Sequence, residues 1–202
     1  MASFKAQYNE LIKREGNYHS GVIGGKVDKG GETYRGIARK YNPDWAGWKI
    51  IDSLKSKGAI AFNSEIPAVN KLAYDYSKLK YWDKLNLDQV KNQSVADIIF
   101  EINWGFPSKV FNTVKNVLKV TGTNYFPALV KDINAKDPKQ LFSDLVDSYA
   151  GLLRSSSEYN KFATGYENRI LTWIKKRDNF IIAGGTGLFL IAAAIGLYVY
   201  AK

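Results

Sequence analysis

The chain has no cysteine and a single histidine, His19, among its 202 residues. The missing thiols exclude disulfides, thiolate metal sites and cysteine nucleophiles. One histidine cannot form a histidine-based metal cluster within one chain, and it leaves a serine–histidine triad only as a poor alternative. We therefore expect a function that needs neither a metal nor a cofactor.

The N-terminal residues lack the apolar run of a secretory signal peptide. The long apolar stretch is at the other end, where residues 181–201 hold no charged residue and follow a polar, mostly basic cluster at residues 175–179. A bilayer core about 30 Å thick needs about 20 apolar residues in a helix. The pattern predicts a C-terminal transmembrane helix that serves as a single-pass membrane anchor, with a buried core helix as the alternative. Small residues four apart, such as Ala183 and Gly187, make an oligomer through this helix an option.

Acidic residues are fewer than basic ones. The chain has 19 Asp and Glu against 29 Lys and Arg, which gives a formal net charge of +10. Such a field suits anionic lipid headgroups, nucleic acid or an anionic polymer such as a bacterial cell wall. No recognised nucleic-acid-binding motif accompanies the charge. We therefore expect a wall or membrane partner and no nucleic acid.

The spacing of apolar residues predicts a mostly α fold. A first helix is expected from Ser3 to about Arg14. A glycine-dense segment, residues 21–31, predicts a loop or a small β insert, and helix is expected again from Tyr34 to Tyr41. About 180 residues precede the apolar tail, which is enough for one compact domain with its own core.

The end of the first helix carries the most informative carboxylate, Glu15, directly before a glycine. The glycine-rich loop that follows holds Asp28 and Glu32, and glycines let a backbone and a polymer substrate approach closely. A carboxyl partly removed from water beside an aromatic residue such as Tyr18 keeps a proton available near neutral pH. Two carboxyls across a cleft are the minimum equipment for glycoside hydrolysis. The alternative is that Glu15 is an ordinary surface acid.

Two stretches of the sequence carry a family pattern. The first is Glu15-Gly16-Asn17-Tyr18, followed by Asp28-Lys29-Gly30-Gly31-Glu32-Thr33-Tyr34-Arg35-Gly36-Ile37. The second is residues 95–105, VADIIFEINWG. The first resembles the Glu-Gly-Gly-Tyr and Asp-x-Gly-Gly-x-Thr-x-x-Gly-Ile patterns of the glycoside hydrolase family 108 N-acetylmuramidases, with asparagine at the second glycine. The second resembles the opening of that family's helical peptidoglycan-binding part, where the family tends to have aspartate at the position of Glu101.

By this resemblance Glu15 is the catalytic acid, which protonates the glycosidic oxygen between N-acetylmuramic acid and N-acetylglucosamine in peptidoglycan. Asp28 is the first candidate for the second carboxyl and Glu32 the next. Ordering of the Gly30-Gly31 turn is the alternative role for Asp28. Thr33 is a candidate for bonding Glu15 or for positioning a water.

Four further residues are candidates for substrate binding. Tyr18 and Tyr34 are expected to line the sugar subsites, where aromatic faces stack on rings, and a core position is the alternative for Tyr18. His19 and Asn103 are candidates for substrate contact, with a structural role as the alternative for each.

The resemblance implies a lysozyme-like helical domain with a small glycine-rich loop or β insert. We predict a muramidase domain at residues 1–90, a helical peptidoglycan-binding-like part at 91–176, and a basic flank with the transmembrane helix at 177–202. The predicted function is that of a membrane-tethered endolysin of bacterial or phage origin, held in the bacterial inner membrane. A non-catalytic, membrane-anchored wall-binding or scaffold protein is the alternative.

Overall fold

The computed structural model describes residues 1–23, 26–27 and 30–182, and most of these are helical, as predicted. The helices are α1 (Phe4–Glu15), α2 (Gly47–Lys55), α3 (Pro67–Ser77), α4 (Gln93–Gly105), α5 (Val110–Leu118), α6 (Val130–Ala135), α7 (Pro138–Arg154) and α8 (Tyr159–Ile182). The strands are β1 (Tyr18–His19), β2 (Val22–Ile23), β3 (Lys26–Val27), β4 (Thr33–Tyr34) and β5 (Ile37–Ala38). Shorter helical turns join α3 to α4 between Lys78 and Gln89.

The strands form a three-stranded antiparallel sheet, in the order β1-β4-β5, and a separate β2–β3 hairpin. Tyr34 pairs with Ile37 across a turn of only two residues, Arg35 and Gly36. Both turn residues have positive φ, 48° and 78°, as a tight hairpin turn of this kind requires. The prediction of a helix from Tyr34 to Tyr41 is therefore wrong, since a right-handed helix cannot pass through this turn.

Two groups of buried side chains surround the start of the chain. The first joins the sheet to α2 and α3, and it consists of Tyr18, Tyr34, Ile37, Trp45, Trp48, Ile51, Ile66, Val69 and Ala73. In the second, the Phe4 ring of α1 lies within 5.7 Å of the rings of Tyr8, Trp82 and Phe100. These ring contacts fix the apolar face of helix α1. They thereby also fix the end of the helix, where Glu15 is its last residue.

Helix α4 begins and ends at defined residues. The Asn92 side chain caps its start by accepting from the Val95 backbone N–H at 3.1 Å. At the other end the Phe106 N–H donates to the Ile102 carbonyl at 2.7 Å. Glu101 and Trp104 lie near the C-terminal end of α4. Because the helix is buried along its length, its packing fixes where these two residues lie.

The chain divides into two compact units, Met1–Pro138 and a second that begins at Lys139. In the second unit Phe142 of α7 packs its ring against the rings of Trp173 and Phe180 of α8, at 6.1 and 5.7 Å. Arg154 forms paired hydrogen bonds of 2.9 Å with Glu167. The functional boundaries predicted at residues 90 and 176 stay predictions.

The predicted membrane anchor needs correction. Among the helices of the described residues, none combines the length and the apolar character needed to cross a bilayer. Helix α8, which reaches Ile182, carries a run of charged side chains from Lys175 to Asp178 before its end. The transmembrane helix and the single-pass membrane location are therefore not supported. Residues 183–201 of the predicted segment lie outside the described residues.

Candidate active site

Glu15 is the last residue of α1 and lies where the helix gives way to the sheet. Gly16 follows with φ of 70° and donates its N–H to the Ile12 carbonyl at 2.9 Å, which ends the helix. The Glu15 side chain is 21% exposed. This glutamate is therefore mostly covered while it still reaches the surface, as a side chain must to meet a substrate.

The segment after Glu15 is fixed by Asn63. The Asn17 N–H donates to the Asn63 side-chain oxygen at 2.8 Å. A Cβ at Gly16 would lie 2.9 Å from that same oxygen, so glycine is needed there. The Asn17 side chain accepts from Arg35 Nε at 3.1 Å, so the residue that departs from the family pattern connects α1 to the β4–β5 turn.

The β4–β5 turn lies directly against the Glu15 side chain. A Cβ at Gly36 would come 3.2 Å from Glu15 Cγ and 2.5 Å from Cζ2 of the Trp104 ring. Real Cβ atoms do not reach contacts as short as the second, so the turn, the acid and the indole meet only because residue 36 has no side chain. The Trp104 ring is itself supported by Phe100 at 5.8 Å and Tyr81 at 4.6 Å.

Arg14 lies between two glutamates. Its Nη2 donates to Glu101 Oε2 at 2.8 Å, and its Nε is 3.6 Å from Glu15 Oε1. The Glu101 side chain is completely buried, whereas that of Arg14 is 29% exposed. A cation and a buried anion thus accompany the candidate acid.

Glu32 is held by three donors. Arg39 donates to one carboxylate oxygen at 2.6 Å, and Lys55 and the Tyr18 hydroxyl donate to the other at 2.9 and 2.8 Å. Burial alone favours the protonated form of Glu32, but the bonds from Lys55, Arg39 and Tyr18 outweigh it and lower its pKa. This carboxylate is an ionised anchor between β4 and α2.

The other two catalytic candidates differ in what the structure describes. Asp28 lies outside the described residues. Thr33 is buried in β4, where its hydroxyl donates to the Gly31 carbonyl at 3.1 Å and its backbone pairs with His19. The Thr33 hydroxyl therefore orders the glycine turn that precedes the strand.

Tyr18 and Tyr34 belong to the core, with exposed fractions of 3% and 0%. The Tyr34 hydroxyl accepts from the Ile66 N–H at 3.0 Å and bonds the Asn70 side chain. Burial and the bond to Glu32 raise the pKa of Tyr18, so its hydroxyl stays a donor. Neither ring has a free face for stacking on a sugar. A core position, which was the alternative for Tyr18, applies to both tyrosines.

His19 and Asn103 make structural bonds. His19 Nδ1 accepts from the Gly21 N–H at 3.1 Å, which shapes the turn after β1. The buried Asn103 side chain donates to the Tyr81 carbonyl at 2.9 Å and fastens α4 to the segment after α3. Tyr81 in turn supports Trp104, so Asn103 positions the indole indirectly.

Two grooves share Lys80 on their rims, and one of them is also lined by Tyr81. One, of about 350 Å³, is bordered by Tyr81, Lys84, Phe111 and Tyr125, among others. The second, of about 530 Å³, is bordered by Tyr41, Trp45, Tyr76 and Leu79, among others. Aromatic faces with lysine at the edge suit an anionic carbohydrate polymer.

Sequence reasoning did not single out Arg14, Gly36, Trp104 or the partners of Glu32 as site residues. For Gly36 a signal existed, because the family pattern contains a glycine there. For Arg14 no local signal existed, since its main partner is 87 positions away.

A mostly helical fold with a small sheet, and a glutamate at the end of the first helix against the sheet turn, fit a lysozyme-like fold. The comparison with family models agrees, since residues 8–106 match the model for Glycosyl hydrolase 108. Over this segment, just under half of the chain, the sequence is similar to glycosyl hydrolase family 108, and the predicted recognition and enzyme class are confirmed.

The fold has a solved relative. The structure of Brucella abortus SagA matches with a TM-score of 0.63 and 16% sequence identity, and the match covers 92% of this chain and 98% of that one. At this identity the likeness concerns the fold alone. No curated protein sequence matches the chain.

Proposed function

We propose that this glycoside hydrolase is an N-acetylmuramidase and that Glu15 is its general acid. In the reaction Glu15 gives its proton to the oxygen of the β-1,4 bond between N-acetylmuramic acid and N-acetylglucosamine as that bond breaks. Peptidoglycan as the substrate fits the family and the net charge of +10, which attracts the anionic wall polymer. No cofactor takes part in this proposal.

The observation that carries the proposal is the setting of Glu15. Its side chain ends a helix, is 21% exposed, and lies against Gly36 in the turn opposite Trp104. The exposed fraction of the side chain gives a glycosidic oxygen access to the carboxyl, as proton transfer to that oxygen requires. Glu32, by contrast, is committed to Arg39, Lys55 and Tyr18, which makes it a poor nucleophile or base.

Asp28 remains our first candidate for the second carboxyl. Its separation from Glu15 decides the stereochemistry, since about 5 Å gives retention and about 6.5–9.5 Å leaves room for a water and gives inversion. Thr33 lies in β4, and we propose that it supports the loop that carries Asp28 through its bond to Gly31. The stereochemical course is read from the anomer released first, by NMR of the product.

The test of the general acid is Glu15→Gln, which keeps the shape and removes the proton. We expect a loss of about 10²–10⁴-fold in the rate at which purified walls lose turbidity and gain N-acetylmuramic acid reducing ends. The matched control is Glu10→Gln, on the same helix, where the carboxylate is 50% exposed and pairs with Lys13.

Three results decide between the possibilities. Loss in Glu15→Gln with full activity in Glu10→Gln supports the proposal. Equal rates in wild type and Glu15→Gln, with both proteins folded, would remove Glu15 as the acid. Binding of walls with no release of reducing ends by the wild type would instead indicate a wall-binding protein without catalysis.

A further inference from the structure

The buried carboxylate of Glu101 is the charged group near the site that the proposed reaction does not use. It reaches the site from α4, and its partner Arg14 directly precedes Glu15. The guanidinium is closer to Glu101, at 2.8 Å, than to Glu15, at 3.6 Å. The shorter contact has hydrogen-bond length and the longer one does not.

Arg14 is committed to Glu101 for an energetic reason. A carboxylate with no exposed surface is not solvated by water, so losing the bond from the Arg14 guanidinium is costly for it. Glu15 is in part exposed and does not depend on Arg14 in the same way. Competition between the two glutamates for the guanidinium therefore favours Glu101.

We propose that Glu101 is a positioning residue of the active site, which holds the Arg14 guanidinium and so prevents a close Arg14–Glu15 ion pair. The inference rests on the proposed role of Glu15 as the acid. An ion pair with arginine stabilises the carboxylate form, and a general acid must hold its proton. Arg14 and Glu101 together bring almost no net charge to Glu15, whereas Arg14 alone brings a full cation.

The other charged groups on the elements around Glu15 have partners of their own. The turn at Gly36 contributes Arg35, which bonds Asn17 and Glu65. The sheet contributes Glu32, bound as described above, and His19, which accepts from Gly21. The charge balance at Glu15 among these described groups therefore changes most when Arg14 or Glu101 changes.

The experiment is Glu101→Gln, followed through the pH dependence of kcat/KM on purified walls. Without its anionic partner, Arg14 turns to Glu15. We therefore expect the alkaline limb of the profile to shift to lower pH by about one unit. At pH values well above this limb, kcat/KM is then expected to be about tenfold lower than in the wild type. Removing both charges, in Arg14→Gln/Glu101→Gln, is expected to return the limb to its wild-type position or above it. Glu10→Gln should leave it in place.

A second readout separates this proposal from the role of Glu15 as the acid. The side-chain carboxyl of Glu15 is titrated by carbon-13 NMR and assigned with Glu15→Gln. Its titration midpoint should fall in Glu101→Gln even if another group proves to be the acid. An unchanged midpoint in folded Glu101→Gln would overturn the proposal. If that variant does not fold, Arg14→Gln decides, because loss of the cation must raise the midpoint, and a fixed or lower value contradicts the idea.

Discussion

The end of α1 and the residue directly before strand β4 are glutamates from the same motif, and the two are held in opposite ways. Glu15 lies against a glycine turn that also contacts the Trp104 indole, and Arg14, which is 3.6 Å away, donates to Glu101. Glu32 is 10% exposed and receives bonds from Arg39, Lys55 and Tyr18. The difference teaches that proximity in sequence does not make two acids a catalytic pair. Glu32 has the setting of a structural anchor, whereas Glu15 keeps the exposure that a group meeting a substrate needs.

The largest expected effect comes from disturbing the Glu15 side of this comparison with Gly36→Ala. The added methyl would meet Trp104 at 2.5 Å, at a residue with φ of 78°. We expect wall hydrolysis to fall at least about tenfold, because small displacements of reacting groups are costly, and stability to fall by about 2–3 kcal/mol. Denaturant unfolding and turbidity assays measure the two effects.

Gly31→Ala is the matched control for that variant, since Gly31 has a similar φ of 68° but nothing within 4 Å of its Cβ position. It should show backbone strain of about 1 kcal/mol and little loss of activity per folded molecule. Similar activity losses in both variants would mean that backbone strain at a positive φ, and not the contact with Glu15 and Trp104, causes the loss.

The second prediction tests the anchor. Glu32→Gln removes the charge that Arg39 and Lys55 bind, and we expect a loss of about 2–3 kcal/mol in the free energy of unfolding. Asp52→Asn, which removes the exposed partner of Arg39, should cost less than about 1 kcal/mol. At a temperature where all variants are folded, both should retain most of their activity. A Glu32→Gln enzyme as inactive as Glu15→Gln would end the contrast between the two glutamates.

The third prediction concerns acid pH. The folded-state pKa of Glu32 lies below its ordinary value of 4.5, so its stabilising effect is complete above that value. It is lost as pH falls through the lower, folded-state pKa. Melting temperatures between pH 6 and pH 3 should therefore drop less steeply for Glu32→Gln than for the wild type. Parallel curves would show that other carboxylates account for acid unfolding.

The smallest expected effect is that of Tyr18→Phe. This change deletes one donor to Glu32 while the ring stays in the core, so we expect a loss of about 1 kcal/mol and near-normal hydrolysis. Tyr41→Phe, at a ring that is 65% exposed, should be neutral in the same melts. A strong loss of substrate binding in Tyr18→Phe would restore a sugar-contacting role for this residue.

The sequence allowed the helix end at Glu15 to be predicted, because apolar periodicity followed by glycine is a local signal. The β4–β5 hairpin was missed, since arginine at a positive φ is uncommon and only its bonds to Asn17 and Glu65 explain why Arg35 occupies that position. The sugar-stacking roles given to Tyr18 and Tyr34 depended on exposure, which a two-residue strand does not reveal.

The remaining differences have long-range causes. The Arg14–Glu101 pair joins positions 87 apart, and no local pattern contains it. The donors to Glu32 come from three different elements, namely strand β1, the turn after β5 and helix α2. The transmembrane prediction rested on the length, the lack of charge and the glycines of residues 181–201, and no helix among the described residues has the character of a spanning helix.

The position of Trp104 gives the enzyme an intrinsic optical probe. All five tryptophans lie among the described residues, and Trp45, Trp48, Trp82 and Trp173 are buried. Trp104 is partly exposed beside Glu15, so its emission should respond most strongly when a ligand displaces water there. Binding of wall fragments beside Glu15 can therefore be followed by fluorescence in the Glu15→Gln protein, without any label.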